Sequence, residues 1–249
     1  MMEFEPRASD ARMPMRDGSI IAAIFFIVAI ALSGVLPLWL DEIMQLIEIR
    51  DKPAAEMIAA LPAYNAGAVP LGYLVQQATL KIAGYSMRRA RFPAALFGSA
   101  AVFVVALLGA ELGLRPAWLG AAIFAVFPLT LRYATESRVY SQALFLSVLA
   151  SLVYLRLATS PTLRIAAAYW LILALALYTQ PFAAFVGLAH IAWSAANRDR
   201  KTVLFGLAAF GMAILAFLPW YFGTYGRKTS GIQALYRLGC TFPFRRRRS

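Results

Sequence analysis

Apolar residues in this chain come in long charge-free runs, at 18–40, 92–110, 116–131, 139–155, 165–197 and 202–226. A helix of about 20 apolar residues crosses the hydrocarbon core of a bilayer with every backbone group satisfied internally. Such runs describe a polytopic membrane protein rather than a soluble domain with a large core. The 33-residue run 165–197 is interrupted by Gln180-Pro181. Proline lacks an N–H and clashes with the preceding turn, so this run reads as two short helices meeting at a turn. The pattern predicts an all-α transmembrane helical bundle of about seven spans, at 19–40, 92–112, 117–133, 139–158, 164–180, 181–197 and 202–222.

Loop charge orients this bundle. Arg7, Arg12 and Arg16 precede the first span, which places residues 1–18 in the cytoplasm and Asp41 outside. Arg198, Arg200 and Lys201 form a basic loop, Arg156 and Arg164 flank another, and both are expected to be cytoplasmic. The segment 57–80 is also charge-free but carries Pro62, Asn65, Gly67, Pro70, Gly72, Gln76 and Gln77. Only if it lies along the interface do both basic loops fall inside. Residues 41–91 are therefore expected to form an extracytoplasmic loop with short juxtamembrane helices. That leaves Lys81, Arg88, Arg89 and Arg91 outside, against the charge bias. Arginines that face a phosphate-bearing lipid account for this.

Composition adds three exclusions. The chain has 249 residues, 61% hydrophobic, with a mean hydropathy of +0.66 and a net charge of +12. The basic residues are spread over loops and no nucleic-acid motif is present, so the charge points to topology and anionic headgroups rather than to nucleic acid. A single cysteine, Cys240, allows no intrachain disulfide. The first apolar run is longer than a signal-peptide core of about 7–15 residues. Trp39-Leu40-Asp41-Glu42 offers no small-residue cleavage site after it, so a retained anchor is expected.

The acids narrow the search for chemistry. Of twelve, four lie in the amino-terminal tail, five between Asp41 and Glu56, and only Glu111, Glu136 and Asp199 follow. Glu111 ends a span and Asp199 sits among basic residues. Asp41 and Glu42 stand where the first span runs out, and Glu136 lies between two apolar runs with Arg132 and Arg138 around it. Ionisable groups near a membrane interior are functional candidates. The plainer alternatives are helix-end solvation for Asp41-Glu42 and an i,i+4 pair with Arg132 for Glu136. His190, inside a span, reads as a packed or helix-bonding residue. At such a boundary a carboxylate can take a proton from an acceptor hydroxyl or hold a divalent metal ion. An arginine fork suits a departing phosphate. Asp41 is the base or metal-ligand candidate and Arg138 the phosphate candidate, with Arg88, Arg89 and Arg91 as further ones.

Several segments carry a resemblance. Trp39-Leu40-Asp41-Glu42 resembles the first-loop Asp-Glu motif of the GT-C glycosyltransferases related to protein O-mannosyltransferases and aminoarabinose–lipid A transferases. Val69-Pro70-Leu71-Gly72-Tyr73-Leu74 is similar to their Pro-Leu-x-Tyr juxtamembrane helix, and 83–98 to their Arg-Leu-Pro-Ser-Ala-Leu-Phe-Gly stretch. Phe127-Pro128-Leu129 through Glu136-Ser137-Arg138-Val139-Tyr140 resembles Ser-Pro…Glu-x-Arg-x-Tyr, and Ala176 through Gln180 a Leu-Tyr-Thr-His stretch. The resemblance covers residues 20–222. It implies a polyprenyl-phosphate-linked sugar donor, a glycan, lipid or protein acceptor, and an active site on the outer face of the cytoplasmic membrane. Asp41 would be the catalytic carboxylate, with Glu42, Glu136 and Arg138 beside it. Pro70, Tyr73, Tyr140 and Gln180 would contact substrate. Gln180 stands where the family has histidine, and Ala68-Val69 replaces its His-Pro.

The segment 223–249, ending in Arg245–Arg248, does not resemble the family. A truncated chain, acting as an inactive fragment or scaffold, is one alternative. A membrane transporter is another, although the acids gather at one face and no internal repeat supports it.

Overall fold

The computed structural model describes residues 8–50, 52–64, 67–197 and 199–237, with side chains over 15–50, 52–62, 67–197 and 199–224. Arg7, Asn65, Arg198 and the tail 238–249 with Cys240 and Arg245–Arg248, all of which entered the sequence reading, lie outside the described residues. Every described element is helical: α1 Ala8–Ser33, α2 Leu40–Ile49, α3 Ala54–Tyr64, α4 Pro70–Ala83, α5 Met87–Glu111, α6 Trp118–Val126, α7 Pro128–Ala134, α8 Tyr140–Thr159, α9 Leu163–Thr179, α10 Ala184–Ala196 and α11 Arg200–Arg237. Among the described residues, four segments are long and apolar enough to cross a membrane: Met15–Ser33, Met87–Glu111, Tyr140–Thr159 and Arg200–Thr224. Two shorter apolar helices accompany them, Leu163–Thr179 and Pro181–Ala196.

Three runs differ from, or refine, the sequence pattern. The first apolar run does not stay helical to Leu40. It stops at Ser33, the chain passes through Gly34 and Pro37, and α2 starts at Leu40. Asp41 and Glu42 therefore occupy the first turn of a separate helix. The run 116–131 is two helices, because Pro128 cannot donate within a helix and starts α7 after an extended Phe127. The long run 165–197 breaks at Gln180, whose extended backbone leads into a 3-10 turn at Pro181–Ala183. There the proline does what its chemistry predicts.

Between residues 40 and 83 the chain forms three short helices rather than a span. In α2 the polarity is inverted relative to a soluble surface helix. Leu40, Ile43, Met44 and Ile47 are exposed, whereas Glu42, Gln45 and Glu48 are buried. That arrangement suits a helix with apolar surroundings outside and a polar seam within.

The long helices share two ends. At one, Arg91 near the start of α5 meets the carbonyl of Ser33 at the end of α1, and Gln142 on α8 bonds Thr179 at the end of α9. Trp220, near the end of the apolar part of α11, donates to Ala68 O. At the other end, Arg156 on α8 pairs with Glu111 at the end of α5 at 3.4 Å. Helices α1 and α5 pack closely through small residues: Ser99 Oγ donates to Ala22 O at 2.5 Å, and Gly98 lies against Phe25 and Ala134.

A Cβ on Gly98 would stand 2.8 Å from the Ala134 Cβ and 3.2 Å from the Phe25 ring. Gly98→Ala is expected to push α5 off α7 and α1 and to lower stability by about 1–3 kcal/mol. Unfolding in detergent checks this; a variant as stable as wild type would show that the contact yields.

Candidate functional site

The shared end that gathers α2, α4, α8, α9 and α11 is organised by one buried ion pair. Arg91 is 1% exposed and Glu42 fully buried. Arg91 Nε donates to Glu42 Oε1 at 2.8 Å and Nη2 to Glu42 Oε2 at 2.6 Å, a bidentate fork. Its remaining donors go to Ser33 O at 3.0 Å, Leu36 O at 2.6 Å and Pro37 O at 2.9 Å. Those carbonyls belong to the unravelled end of α1, so the arginine caps that helix.

Glu42 is equally committed. Its Oε2 accepts from the Trp39 N–H at 3.2 Å, the backward half of a capping box at the start of α2. Its Oε1 accepts from the Ser137 N–H at 2.5 Å. Burial alone would push this carboxyl up. The Arg91 guanidinium and the Ser137 and Trp39 N–H groups outweigh that and hold it below the usual carboxylate range.

A seam of amides continues inward from this pair. Gln45 donates to Gln76 Oε1 at 2.5 Å, Gln76 donates to Ser137 Oγ and to Ala90 O, and Gln77 donates to Ile49 O and Lys52 O. Together these bonds fix the segment 135–139 against α2, α4 and α5. Gly72 permits the approach, because Val139 occupies the space in which a Cβ would stand. Arg138 is thereby presented between α2 and α8.

Arg138 has a different environment from Arg91. Its Nη2 lies 3.7 Å from Asp41 Oδ2, and Nη1 reaches Gln45 Oε1 at 3.3 Å. The guanidinium carbon stands 5.7 Å from the Tyr140 ring centroid. Its Nε is buried without a partner. Arg138 lines a cavity of about 420 Å³ together with Gln45, Val69, Tyr73, Tyr140, Thr179, Gln180, Phe182, Phe217 and Trp220. Such a space, mostly apolar with a few converging polar groups, is what a ligand pocket needs. Asp41 does not line this space; it meets it only through Arg138, with 47% of its own side chain exposed.

The sequence candidates therefore separate. Arg138, Tyr73, Tyr140 and Gln180 line the cavity, and Asp41 joins them only through its 3.7 Å contact with Arg138. Glu42 and Arg91 are locked to each other, so their charges are spent on holding the end of α1. Glu136 pairs with Arg132 at 2.8 Å, the i,i+4 arrangement that closes the loop after α7. Arg88 and Arg89 are exposed at the start of α5, over Gly34 and Gly84, and do not border the cavity. Pro70 is the first residue of α4, where its fixed φ starts the helix. It holds Val69 and Tyr73 in place rather than lining the space itself.

A divalent ion held by side chains alone needs several oxygen or nitrogen ligands. Asp41 faces a cation, and no cluster of three or more His, Cys, Asp or Glu exists among the described residues. This donor set does not fit a protein-caged metal. His190 bonds Ser151 Oγ at 3.0 Å and the Tyr169 hydroxyl at 2.9 Å, joining α8, α9 and α10.

Glu48 is the residue that sequence reasoning passed over. It is buried on α2, bonds the Tyr73 hydroxyl, and keeps Oε2 without a partner. The available signal was spacing: Glu42, Gln45 and Glu48 follow at i, i+3 and i+6 on one face, opposite Ile43, Met44 and Ile47. Comparison with known protein families, curated proteins and solved structures finds no match to this chain.

Removing one partner of the central pair leaves a buried charge uncompensated. Arg91→Met is expected to cost about 3–5 kcal/mol of unfolding free energy in detergent, with much of it recovered in Arg91→Met/Glu42→Leu. Because Glu42 has a lowered folded pKa, its contribution is complete above the ordinary carboxylate pKa of about 4.3 and is lost as pH falls through the folded value. Glu42→Gln should therefore show a shallower acid loss than wild type. Equal acid slopes in the two proteins would contradict the assignment.

Proposed function

We propose that this chain is an integral membrane glycosyltransferase of the GT-C class, moving a sugar from a polyprenyl-phosphate donor to an acceptor hydroxyl at the outer side of the cytoplasmic membrane. The reading includes the seven-span arrangement, with α2, α3 and α4 as extracytoplasmic juxtamembrane helices and α6–α7, α9 and α10 completing the bundle. One observation carries it: the half-exposed Asp41 carboxylate stands 3.7 Å from Arg138, and Arg138 lines an aromatic-walled cavity at one end of the membrane helices. The motif resemblance in the sequence names the same two residues.

The chemistry asks little more. Asp41, half-exposed, takes the proton of the acceptor hydroxyl as the oxygen attacks the sugar's anomeric carbon. The bond to the phosphate oxygen breaks, and the negative charge that develops there meets Arg138. Tyr140, Phe182, Phe217 and Trp220 give the first units of a prenyl chain an apolar wall. Glu42 and Arg91 position rather than react: they hold Asp41 one residue away and Ser137-Arg138 across from it.

Asp41→Asn should abolish sugar transfer while leaving insertion and thermal stability unchanged. The measurement is transfer by purified protein in lipid, from a panel of polyprenyl-phosphate sugars to native membrane extract. Near-normal turnover by the variant would remove Asp41 from the mechanism. Solute uptake by reconstituted vesicles, unaffected by Asp41→Asn, would replace the transferase with a transporter.

A further inference from the structure

The start of α5 carries charge that the cavity does not use. Arg88, Arg89 and Arg91 open this helix, and its first turn holds no acid. Cations at a helix start oppose the macrodipole, so these charges do not serve α5 itself. Arg91 is answered by Glu42. Arg88 and Arg89 are exposed and form no ion pair among the described residues.

Arg88 nevertheless has a built position. Its guanidinium lies over Gly34, in the break between α1 and α2. A Cβ on Gly34 would overlap the Arg88 Nε and stand 2.6 Å from its guanidinium carbon. Gly34 does not have a positive φ, so its bare Cα serves this close approach rather than a turn. An arginine that merely snorkels to water needs no such gap. Arg89 lies over Gly84 in the α4–α5 turn, with Nη1 2.8 Å from where a Cβ would stand, and adds a second charge one residue away.

Further along the helix the same face turns apolar. Phe92 and Leu96 follow Arg88 at i+4 and i+8, and both are exposed. Phe92 meets Phe26 of α1 edge-on, with ring centroids 5.9 Å apart. Ile24 and Ile27 of α1, and Val35 beside Gly34, are exposed as well. Both α1 and α5 contain a segment long and apolar enough to cross a membrane. Fixed positive charge at the end of an exposed apolar stripe matches a lipid that carries an anionic headgroup on hydrocarbon chains. A zwitterionic headgroup would bring its own ammonium to two arginines; an anionic one does not.

We propose that Arg88, seated over Gly34 and backed by Arg89, binds the phosphate of an anionic bilayer phospholipid, whose acyl chain lies along Phe92 and Leu96 beside Phe26. None of these residues lines the cavity, so the lipid seat is separate from the transferase reading and does not rest on it. The lipid touches the end of α1 and the start of α5, the two elements that Arg91 already joins, and binding there favours the folded junction by mass action.

The test is saturation binding of radiolabelled dioleoyl phosphatidylglycerol to the full chain in dodecyl maltoside micelles. Wild type should bind it saturably, and dioleoyl phosphatidylcholine about tenfold more weakly. Arg88→Gln should lose about tenfold in affinity for phosphatidylglycerol, the worth of one hydrogen bond to a charged group. Gly34→Ala keeps every charge but displaces the guanidinium, and should lose a similar factor. Arg164→Gln, which removes an exposed arginine at the start of α9, should bind as wild type does. Unfolding midpoints measured without lipid, unchanged in Arg88→Gln, separate lost binding from a lost fold.

Equal losses in Arg88→Gln and Arg164→Gln would reveal diffuse charge attraction and overturn the proposal, as would a Gly34→Ala protein of wild-type affinity. Competition by glycerol 3-phosphate as effective as by the whole lipid would remove the apolar stripe and overturn it too. Displacement by farnesyl phosphate at far lower concentration than by phosphatidylglycerol would return the arginines to a sugar donor and overturn it. Asp41→Asn should leave the lipid isotherm unchanged, so the seat and the transferase fail separately.

Discussion

The structure depends on one guanidinium. Arginine has five N–H donors, and Arg91 uses five hydrogen bonds: two to Glu42 and one each to Ser33, Leu36 and Pro37. Taking two charges out of water at the mouth of a helix bundle is expensive, and a bidentate fork alone rarely repays it. Here the same group also satisfies the carbonyls that α1 leaves open when it stops before Gly34, and Glu42 accepts from the N–H of Trp39, the residue that caps α2, and from that of Ser137. One ion pair thus closes a helix end, starts a second helix and anchors a loop from 95 residues downstream.

The cavity follows from that junction. Once α2 is fixed by Glu42, its i, i+3, i+6 face turns Gln45 and Glu48 inward, and the amide seam through Gln76 reaches Ser137. Residue 138 must then emerge between α2 and α8, because Ser137 is held from both sides. The inward polarity of α2 has its counterpart in Leu40, Ile43, Met44 and Ile47, which face outward. This helix would be insoluble on the surface of a water-borne domain, and beside membrane helices it is at home.

Much of the helical layout was legible, since charge-free length and proline position are local properties. The turn at Gln180-Pro181 and the short helices between residues 40 and 83 follow from residues that lie next to one another. The end of α1 was not legible in the same way. Val35, Leu36 and Leu38 continue the apolar run, and only a distant arginine makes it cheaper to leave the helix at Ser33. Nor could spacing divide the charged candidates. Arg88, Arg89, Arg91 and Arg138 look alike in sequence, but one caps a helix, two lie on the surface and one borders a cavity. Glu136 met Arg132 at the i,i+4 distance that its plainer alternative predicts, whereas Glu48 had no chemistry until Tyr73, 25 residues on, gave it a partner.

The contrast between Arg91 and Arg138 gives a physical criterion for which charges are available to a ligand. Arg91 has every donor engaged, so a bound phosphate would have to break a capped helix to reach it. Arg138 has a long contact to Asp41, a weak one to Gln45, a tyrosine face and an orphaned Nε. An anion entering the cavity replaces poor contacts with good ones and costs the fold nothing. The two arginines at this end of the helix bundle thus divide by saturation. The pair that is saturated builds the site, and the groups left unsatisfied are the ones with free energy still to gain from binding.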